Sequence, residues 1–398
     1  MRTICRLSSL LLLAAVAASP VAARAGEVLH LDGQSSTVAM PSDPAIVQRE
    51  QRRADGGDLP GAIVDLSHYV AAHPDQRGPM VLLGDLYYRA RQLTKAEDLY
   101  REALSLGDSR AIHNRLGGVY VLERRYDDAV REFRAALPLP SGFENLIAVH
   151  RMRGDLDRFE EQTAVEADRH PTDVDAALDL ALVYDAQGRD VKALAAYHHV
   201  VDLDPNCAAG YNGIGSVLIS ERRYTDAIAP LQHALALDGR FVAALNNLGD
   251  ASLGLTDLSS AQGYLERAHR IAPDDASVLV NLGVLADLRG NRAAALEDYG
   301  RAIQVDPFQV EAYYDMAADY DALGQHELAQ AVTLKGLAIA ADDGILHYNL
   351  AVIDDELGRH QDALEQYRKA AQMRNAEAAR LARLALSAYA QQTTTSAR

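Results

Sequence analysis

Cysteine is almost absent from this chain: Cys5 stands near the start and Cys207 near the middle. Once the N-terminal segment is gone a single cysteine is left, which excludes an intramolecular disulfide and leaves burial as the source of cohesion. Cys207 follows Asp204-Pro205-Asn206 at a predicted helix start, where a small packed residue or a reactive thiol would both fit. Basic residues are in deficit, 39 Lys and Arg against 56 Asp and Glu, for a net charge of −17. A field of that sign excludes nucleic acid and anionic membranes as partners held by overall charge. Tryptophan is missing altogether. No long apolar run follows the first 25 residues, so no later segment is predicted to span a membrane. No Ser/His/Asp arrangement, phosphate-binding glycine loop or zinc-ligand spacing is found, so no catalytic residue, cofactor or metal is expected.

The N-terminus has the pattern of a secretory signal. Arg2 and Arg6 precede a short apolar run from Leu10 to Ala18, and Ala23-Arg24-Ala25 offers a small-x-small cleavage site. Cys5 lies before the run, which argues against lipidation. Residues 1–25 are read as a signal peptide, placing the mature protein in the periplasm or outside the cell. Its removal takes away three arginines and no acid, carrying the net charge from −17 to −20.

What the chain does have is a repeat. One column runs Leu83, Leu116, Leu146, Leu180, Ile214, Leu248, Leu282, Met316, Leu350, and every step from Leu146 onward is 34 residues. The two earlier steps are 33 and 30. A fixed period of this size marks a solenoid of stacked supersecondary units. The next residue is small in most repeats (Gly84, Gly117, Gly215, Gly249, Gly283, Ala181, Ala317, Ala351), and thirteen after the column stands alanine in all but one, Phe159. Small residues at both places let two antiparallel helices approach closely. Tyr100, Phe133, Tyr197, Tyr299 and Tyr367 fill the space left. Gly154, Gly188, Gly290, Gly324 and Gly358 fall between the helices, where a left-handed C-cap suits glycine. Pro171, Pro205, Pro273 and Pro307 close their repeats, where they start a helix without interrupting one.

These columns resemble the tetratricopeptide repeat (TPR) family, over roughly residues 77 to 375. The family's usual Trp early in the first helix is replaced here by Tyr211, Tyr313, Leu245, Leu279, His113 and His347. The resemblance implies an all-α, right-handed superhelical solenoid of about nine to ten helical hairpins with a C-terminal capping helix. The expected layout is a flexible leader over 26–43, N-terminal repeats over 44–141 (the first degenerate, with Gly57, Ala62, Tyr69 and Pro74 in register), and a C-terminal array over 142–375. A cap over 376–391 with Leu381, Leu384 and Ala388 on one face and a disordered tail over 392–398 complete it. Pro138, Pro140 and Gly142 crowd the turn where the spacing shrinks by four, which predicts either a harmless irregularity or a shortened helix and a kink.

In such arrays the first helices line a concave side. The residue before the column is Asn or Asp in six of nine repeats, although both are mildly unfavourable within helices. The resemblance implies a ladder of carboxamides that hold a peptide main chain, since each can donate and accept. Asn145, Asn247, Asn281 and Asn349 are the candidates, with Asn212 and Asn246 alongside. Acids crowd the same groove: Asp179, Asp185, Asp250, Asp287, Asp315, Asp321 and Asp355, with Arg115 and Arg151 as the basic exceptions. An acidic groove favours a peptide rich in Lys or Arg; a simply solvated polar face is the plainer alternative. Asp315, Asp319 and Asp321 could bridge a divalent cation, but the helical spacing lacks a calcium loop.

The resulting expectation is a non-catalytic scaffold or adaptor binding extended, basic protein segments in envelope assembly, secretion or polysaccharide export. No nucleic-acid partner and no membrane insertion after signal cleavage are expected. The alternatives are a carbohydrate- or peptidoglycan-associated localisation factor, with Tyr314 and Tyr348 as an aromatic pair, or an accessory subunit of an envelope enzyme.

Overall fold

The computed structural model describes residues 45–137, 140–373 and 375–396. The predicted signal peptide and leader lie outside the described residues. Among the described residues there are 21 helices and no strand. They run as ten hairpins: α1 (Ala45–Asp55) and α2 (Leu59–Ala72), α3 (Arg77–Arg89) and α4 (Leu93–Ser105), α5 (Arg110–Leu122) and α6 (Tyr126–Ala136), α7 (Pro140–Arg153) and α8 (Leu156–Arg169), α9 (Val174–Ala186) and α10 (Asp190–Leu203). They continue as α11 (Ala208–Ser220) and α12 (Tyr224–Leu237), α13 (Val242–Gly254) and α14 (Leu258–Ile271), α15 (Ala276–Leu288) and α16 (Arg292–Val305), α17 (Val310–Ala322) and α18 (His326–Ile339), α19 (Gly344–Glu356) and α20 (His360–Ala370). A last helix, α21, spans Ala376–Ser396.

The helices gather into two compact bodies. Body one holds the described residues up to Asn247 together with Ala268–Asp275; body two holds Leu248–Arg267 and everything from Ala276 onward. Within each body the two helices of a hairpin pack together, and each second helix packs on the next first helix. This is an all-α solenoid, as the period predicts.

The hairpin is closed by one contact. A Cβ on Gly84 would sit 2.7 Å from the Tyr100 ring, and one on Gly283 would sit 2.5 Å from the Tyr299 ring. Gly117 faces Phe133, Gly215 faces Leu231 and Gly249 faces Leu265 in the same way. The glycine follows the leucine column and the large residue stands seventeen after that column. The two helices therefore approach until the ring rests on bare backbone, and Tyr100, Phe133 and Tyr197 are among the most buried large side chains. Tyr197, whose own hairpin has Ala181 in the glycine place, meets Gly213 of the following hairpin.

Between the helices, Gly154, Gly188, Gly290, Gly324 and Gly358 take φ of +67° to +79°, as predicted. In four hairpins the same place is held by Arg91, Arg124, Arg222 and Thr256, with φ between +58° and +60°. A β-branched residue there is strained, because its Cβ crowds the following carbonyl.

The four-residue contraction before Leu146 has a definite location. α6 has 11 residues, where α8, α10 and α12 each have 14. Three residues also separate the end of α6 from the start of α7, where four separate α10 from α11. α7 is full length at 14 residues and keeps its register to Leu146. The shortened helix is therefore α6, ahead of Pro138 and Pro140 in sequence.

The cap is present but turned from the predicted face. Ala378, Leu381 and Ala382 pack on Tyr348, Ala363 and Tyr367, with Ala385, Leu386 and Tyr389 beside them. Ala378, Ala382, Ala385 and Tyr389 follow the 4-3-4 spacing of a helix stripe, with Leu381 and Leu386 at its edges. Leu384, placed on the inner face by the sequence reading, is 50% exposed because it lies outside that stripe. The helix also continues past Gln391 to Ser396, into the segment expected to be a disordered tail.

Two substitutions test this account. Gly283→Ala forces a methyl into the Tyr299 ring and is expected to destabilise by about 1–3 kcal/mol. Thr256→Gly relieves the left-handed strain and is expected to stabilise by about 1 kcal/mol. Thermal unfolding followed by circular dichroism reads both; a neutral Gly283→Ala would show that the helices do not meet as described.

Candidate peptide-binding face

The asparagines lie on the first helices, and the structure engages them between neighbouring helices. Asn145 Nδ2 donates to Asn114 Oδ1 at 2.8 Å, joining α7 to α5. Asn247 Nδ2 donates to Asn212 Oδ1 at 3.0 Å, joining α13 to α11. In each pair the residue just before the leucine column meets the residue two before it in the preceding repeat. A carboxamide suits this role because it can donate to one neighbour and still accept from another. Asn246, Asn281 and Asn349 are also buried. The bonds between helices supply a reason for asparagine in mid-helix that its propensity does not.

Several predicted groove acids have partners from the second helix. Tyr197 donates to Asp185 at 3.3 Å, and Tyr367 donates to Asp355 at 3.1 Å. Tyr389 of the cap also donates to Asp355, whose other neighbour is His360 Nδ1 at 3.1 Å. Asp321 lies 2.7 Å from His326 Nδ1. Asp85, not singled out from sequence, accepts from Tyr100 at 2.6 Å and from Arg115 at 3.0 Å. Thus Arg115, one of the two basic exceptions, is neutralised in place, and Arg151 donates to the Ala186 carbonyl at the end of α9. The sequence signal for the acid–tyrosine pairs was present: an aspartate two or five after the column and a tyrosine seventeen after it.

Asp250 and Asp315 stand in hairpins where that tyrosine is replaced. Asp250 stands two after its column, as Asp85 does, but Leu265 occupies the tyrosine place. Asp250 is 1% exposed and neither carboxylate oxygen has a partner among the described residues. Burial alone pushes its pKa up to about 7. In the α17–α18 hairpin the equivalent residue is Thr333, whose hydroxyl is spent on the Ala329 carbonyl at 2.9 Å. Asp315 is buried there and pushed up to about 8 by burial, then by the charges of Asp319 and Asp287. Asp319, expected from sequence only as a cation bridge, rises to about 7 through burial and Asp287. Arg292 Nε lies 3.3 Å from Asp287 and 3.4 Å from Asp319, so one guanidinium serves both. In body one the half-buried Asp179 rises to about 7 through burial, helped by Asp175 and Asp173.

Tyr314 and Tyr348 are buried and offer no aromatic platform for a sugar. Among the described residues no group of three or more His, Cys, Asp or Glu converges as a metal site, and Cys207 is a half-buried free thiol. No described helix is long and apolar enough to cross a membrane.

Comparison with known proteins gives the same architecture. Models described as tetratricopeptide repeat match residues 81–142, 192–240, 212–276, 246–312 and 346–377. The BBSome complex member BBS4 of Bos taurus is 25% identical over 69% of this chain and 54% of its own length. Human protein O-mannosyl-transferase TMTC1 is 23% identical over 72% of this chain and 26% of its own. The chain thus spans about half the length of the first relative and about a quarter of the second. Among solved structures, the APC/C hetero-tetramer Cut9-Hcn1 is similar with a TM-score of 0.54 at 14% identity, over 86% of this chain and 83% of the other. A human IFIT1 dimer with m7Gppp-AAAA is similar with a TM-score of 0.56 at 14% identity, over 83% and 86% respectively. At that identity the likeness is one of fold.

The raised carboxylates set a pH dependence. A carboxyl group whose folded pKa lies above its unfolded value holds a proton in the folded state that the unfolded chain releases, so stability falls as pH rises between the two. For Asp250 and Asp315 that window runs from about pH 4 to between pH 7 and 8. The protein is expected to melt higher at pH 5.5 than at pH 8. Asp250→Asn is expected to gain about 1–2 kcal/mol at pH 8 and nothing near pH 4. Melting curves across the range check this; a variant with the wild-type profile would mean that Asp250 is solvated.

Proposed function

We propose, for a chain that belongs to the tetratricopeptide repeat family, a protein-interaction scaffold whose first helices in body two receive extended segments carrying Lys or Arg. Repeat arrays of this family generally serve interaction and are not themselves catalytic. The observation that carries the finer reading is the set of acids in body two without adequate counter-charge: Asp250 with no partner, Asp315 with no ion pair, and Asp287 and Asp319 sharing Arg292. A carboxylate held out of water without a partner raises the free energy of the fold. An incoming ammonium or guanidinium offsets that penalty, and the fold's retention of it fits a binding face. Asn281 and Asn349 on the same helices would pair with the peptide main chain. The signal-like N-terminus favours an exported compartment, and secretion or envelope assembly is the setting we infer.

The reading of the chain as a carbohydrate-associated factor is less favoured, because its aromatic pair is buried. The service of an enzyme elsewhere in a complex fits a scaffold equally well.

Fluorescence anisotropy tests the proposal with two labelled decapeptides, one alternating Lys and Ser, the other Glu and Ser. The basic peptide is expected to bind, with affinity falling as salt rises, and the acidic one to bind negligibly. Asp315→Asn with Asp319→Asn is expected to weaken the basic peptide by about tenfold while raising the melting temperature. Equal binding of both peptides, or an unchanged affinity in the double variant, would overturn it.

A further inference from the structure

Body one contains a cavity of about 500 Å³ that the groove does not use. It lies among α6, the end of α7 and the start of α8, in the two hairpins joined by the shortened turn. Its origin is structural. Phe159 stands where the other hairpins of the period carry alanine. The helices α7 and α8 accordingly pack less extensively than those of the other hairpins contained in one body.

The walls reverse the sign of the molecule. Four arginines and two aspartates line the space, in a chain with a net charge of −17. Two of the arginines are satisfied by the fold: Arg153 lies 2.7 Å from Asp127 and 2.9 Å from Asp155, and Arg131 pairs with Asp128. Arg134 and Arg158 are exposed at the cavity and have no hydrogen-bond or ion-pair partner among the described residues.

A buried imidazole lines the same space. His150 is 3% exposed and stacks on Phe159 with ring centroids 4.3 Å apart and planes 10° from parallel. Its Nδ1 lies 2.9 Å from Asp155 Oδ1, and its Nε2 is buried with no partner. A ring held by a carboxylate at Nδ1 keeps Nε2 as its available atom. An unmet polar atom in a buried ring calls for a partner, since leaving one unmade costs more than a typical hydrogen bond returns.

We propose that this cavity binds an organic phosphate ester, with Arg134 and Arg158 on the phosphoryl oxygens, His150 Nε2 on the same group, and Val130 and Phe159 against the organic part. The choice of phosphate follows from the number of donors. A carboxylate has two oxygens and is filled by one guanidinium fork, whereas a phosphoryl group presents enough oxygens for two forks and an imidazole. The space exceeds one oxyanion, and an apolar wall of Val130 and Phe159 would be wasted on inorganic phosphate. Burial, then the charges of Arg153 and Arg134, bias His150 toward its neutral form; a bound anion would offset those charges and favour the imidazolium, whose Nε2–H donates to a phosphoryl oxygen.

Isothermal titration of the whole chain with phenyl phosphate, inorganic phosphate and benzoate, at matched ionic strength, is the test. One saturable site is expected for phenyl phosphate, with inorganic phosphate weaker and benzoate weaker by about tenfold or more. The double variant Arg134→Gln, Arg158→Gln is expected to melt as the wild type does and to lose at least about tenfold in affinity for phenyl phosphate. His150→Gln should also weaken binding. No saturable heat, benzoate binding as tight as phenyl phosphate, or an unaltered double variant would each overturn the assignment.

Discussion

Everything in this molecule depends on how closely two helices can approach. In five hairpins the distance is set by a glycine after the leucine-column residue and by a large residue seventeen positions past that column. Packing of this kind is intolerant of volume in either direction. It fixes the depth at which the second helix lies and thereby the atoms it delivers to the first. The Tyr100 hydroxyl reaches Asp85 while its ring rests on Gly84, and the hydroxyls of Tyr197 and Tyr367 reach Asp185 and Asp355 from the same place in their hairpins.

Asparagine bonds add a second layer of order, from one first helix to the next. In a repeat protein each unit is stabilised mainly by its neighbours, so interfaces of this kind sum along the chain. The hairpin of α7 and α8 stands apart. Its period is contracted ahead of it, its alanine is replaced by Phe159, and a basic cavity lies beside it. One local irregularity thus accounts for the looser packing, for the open guanidiniums and for the unmet imidazole nitrogen.

Much of the fold was legible because a period is a property of sequence alone. The leucine column, the small residue after it and the glycine eight after it marked the hairpins, and five of those glycines take the left-handed conformation. The cap was legible as a helix but not in its facing, since Leu381 with Leu384 and Leu381 with Ala385 are both helical spacings and only the partner surface chooses between them. The candidate site was legible as a list and not as a set of contacts. Asp185 and Asp355 looked like groove acids, yet they serve tyrosines from the other helix of their own hairpins. Asn145 and Asn247 looked like peptide donors, yet each reaches an asparagine one repeat away. Such pairs depend on how neighbouring helices are offset along their axes, which no single helix pattern reveals.

The place seventeen after the column has a consequence beyond packing. Tyrosine, leucine and threonine all fit there, but only tyrosine carries a hydroxyl long enough to reach across to the acid. The identity of this one interior residue thus sets whether a hydroxyl reaches the acid, as at Asp85, Asp185 and Asp355, or does not, as at Asp250. Repeats with nearly identical backbones can in this way present different charge at the same address. The array behaves as a row of independently set electrostatic registers, and their settings are stored in the core, away from the surface where a partner would read them.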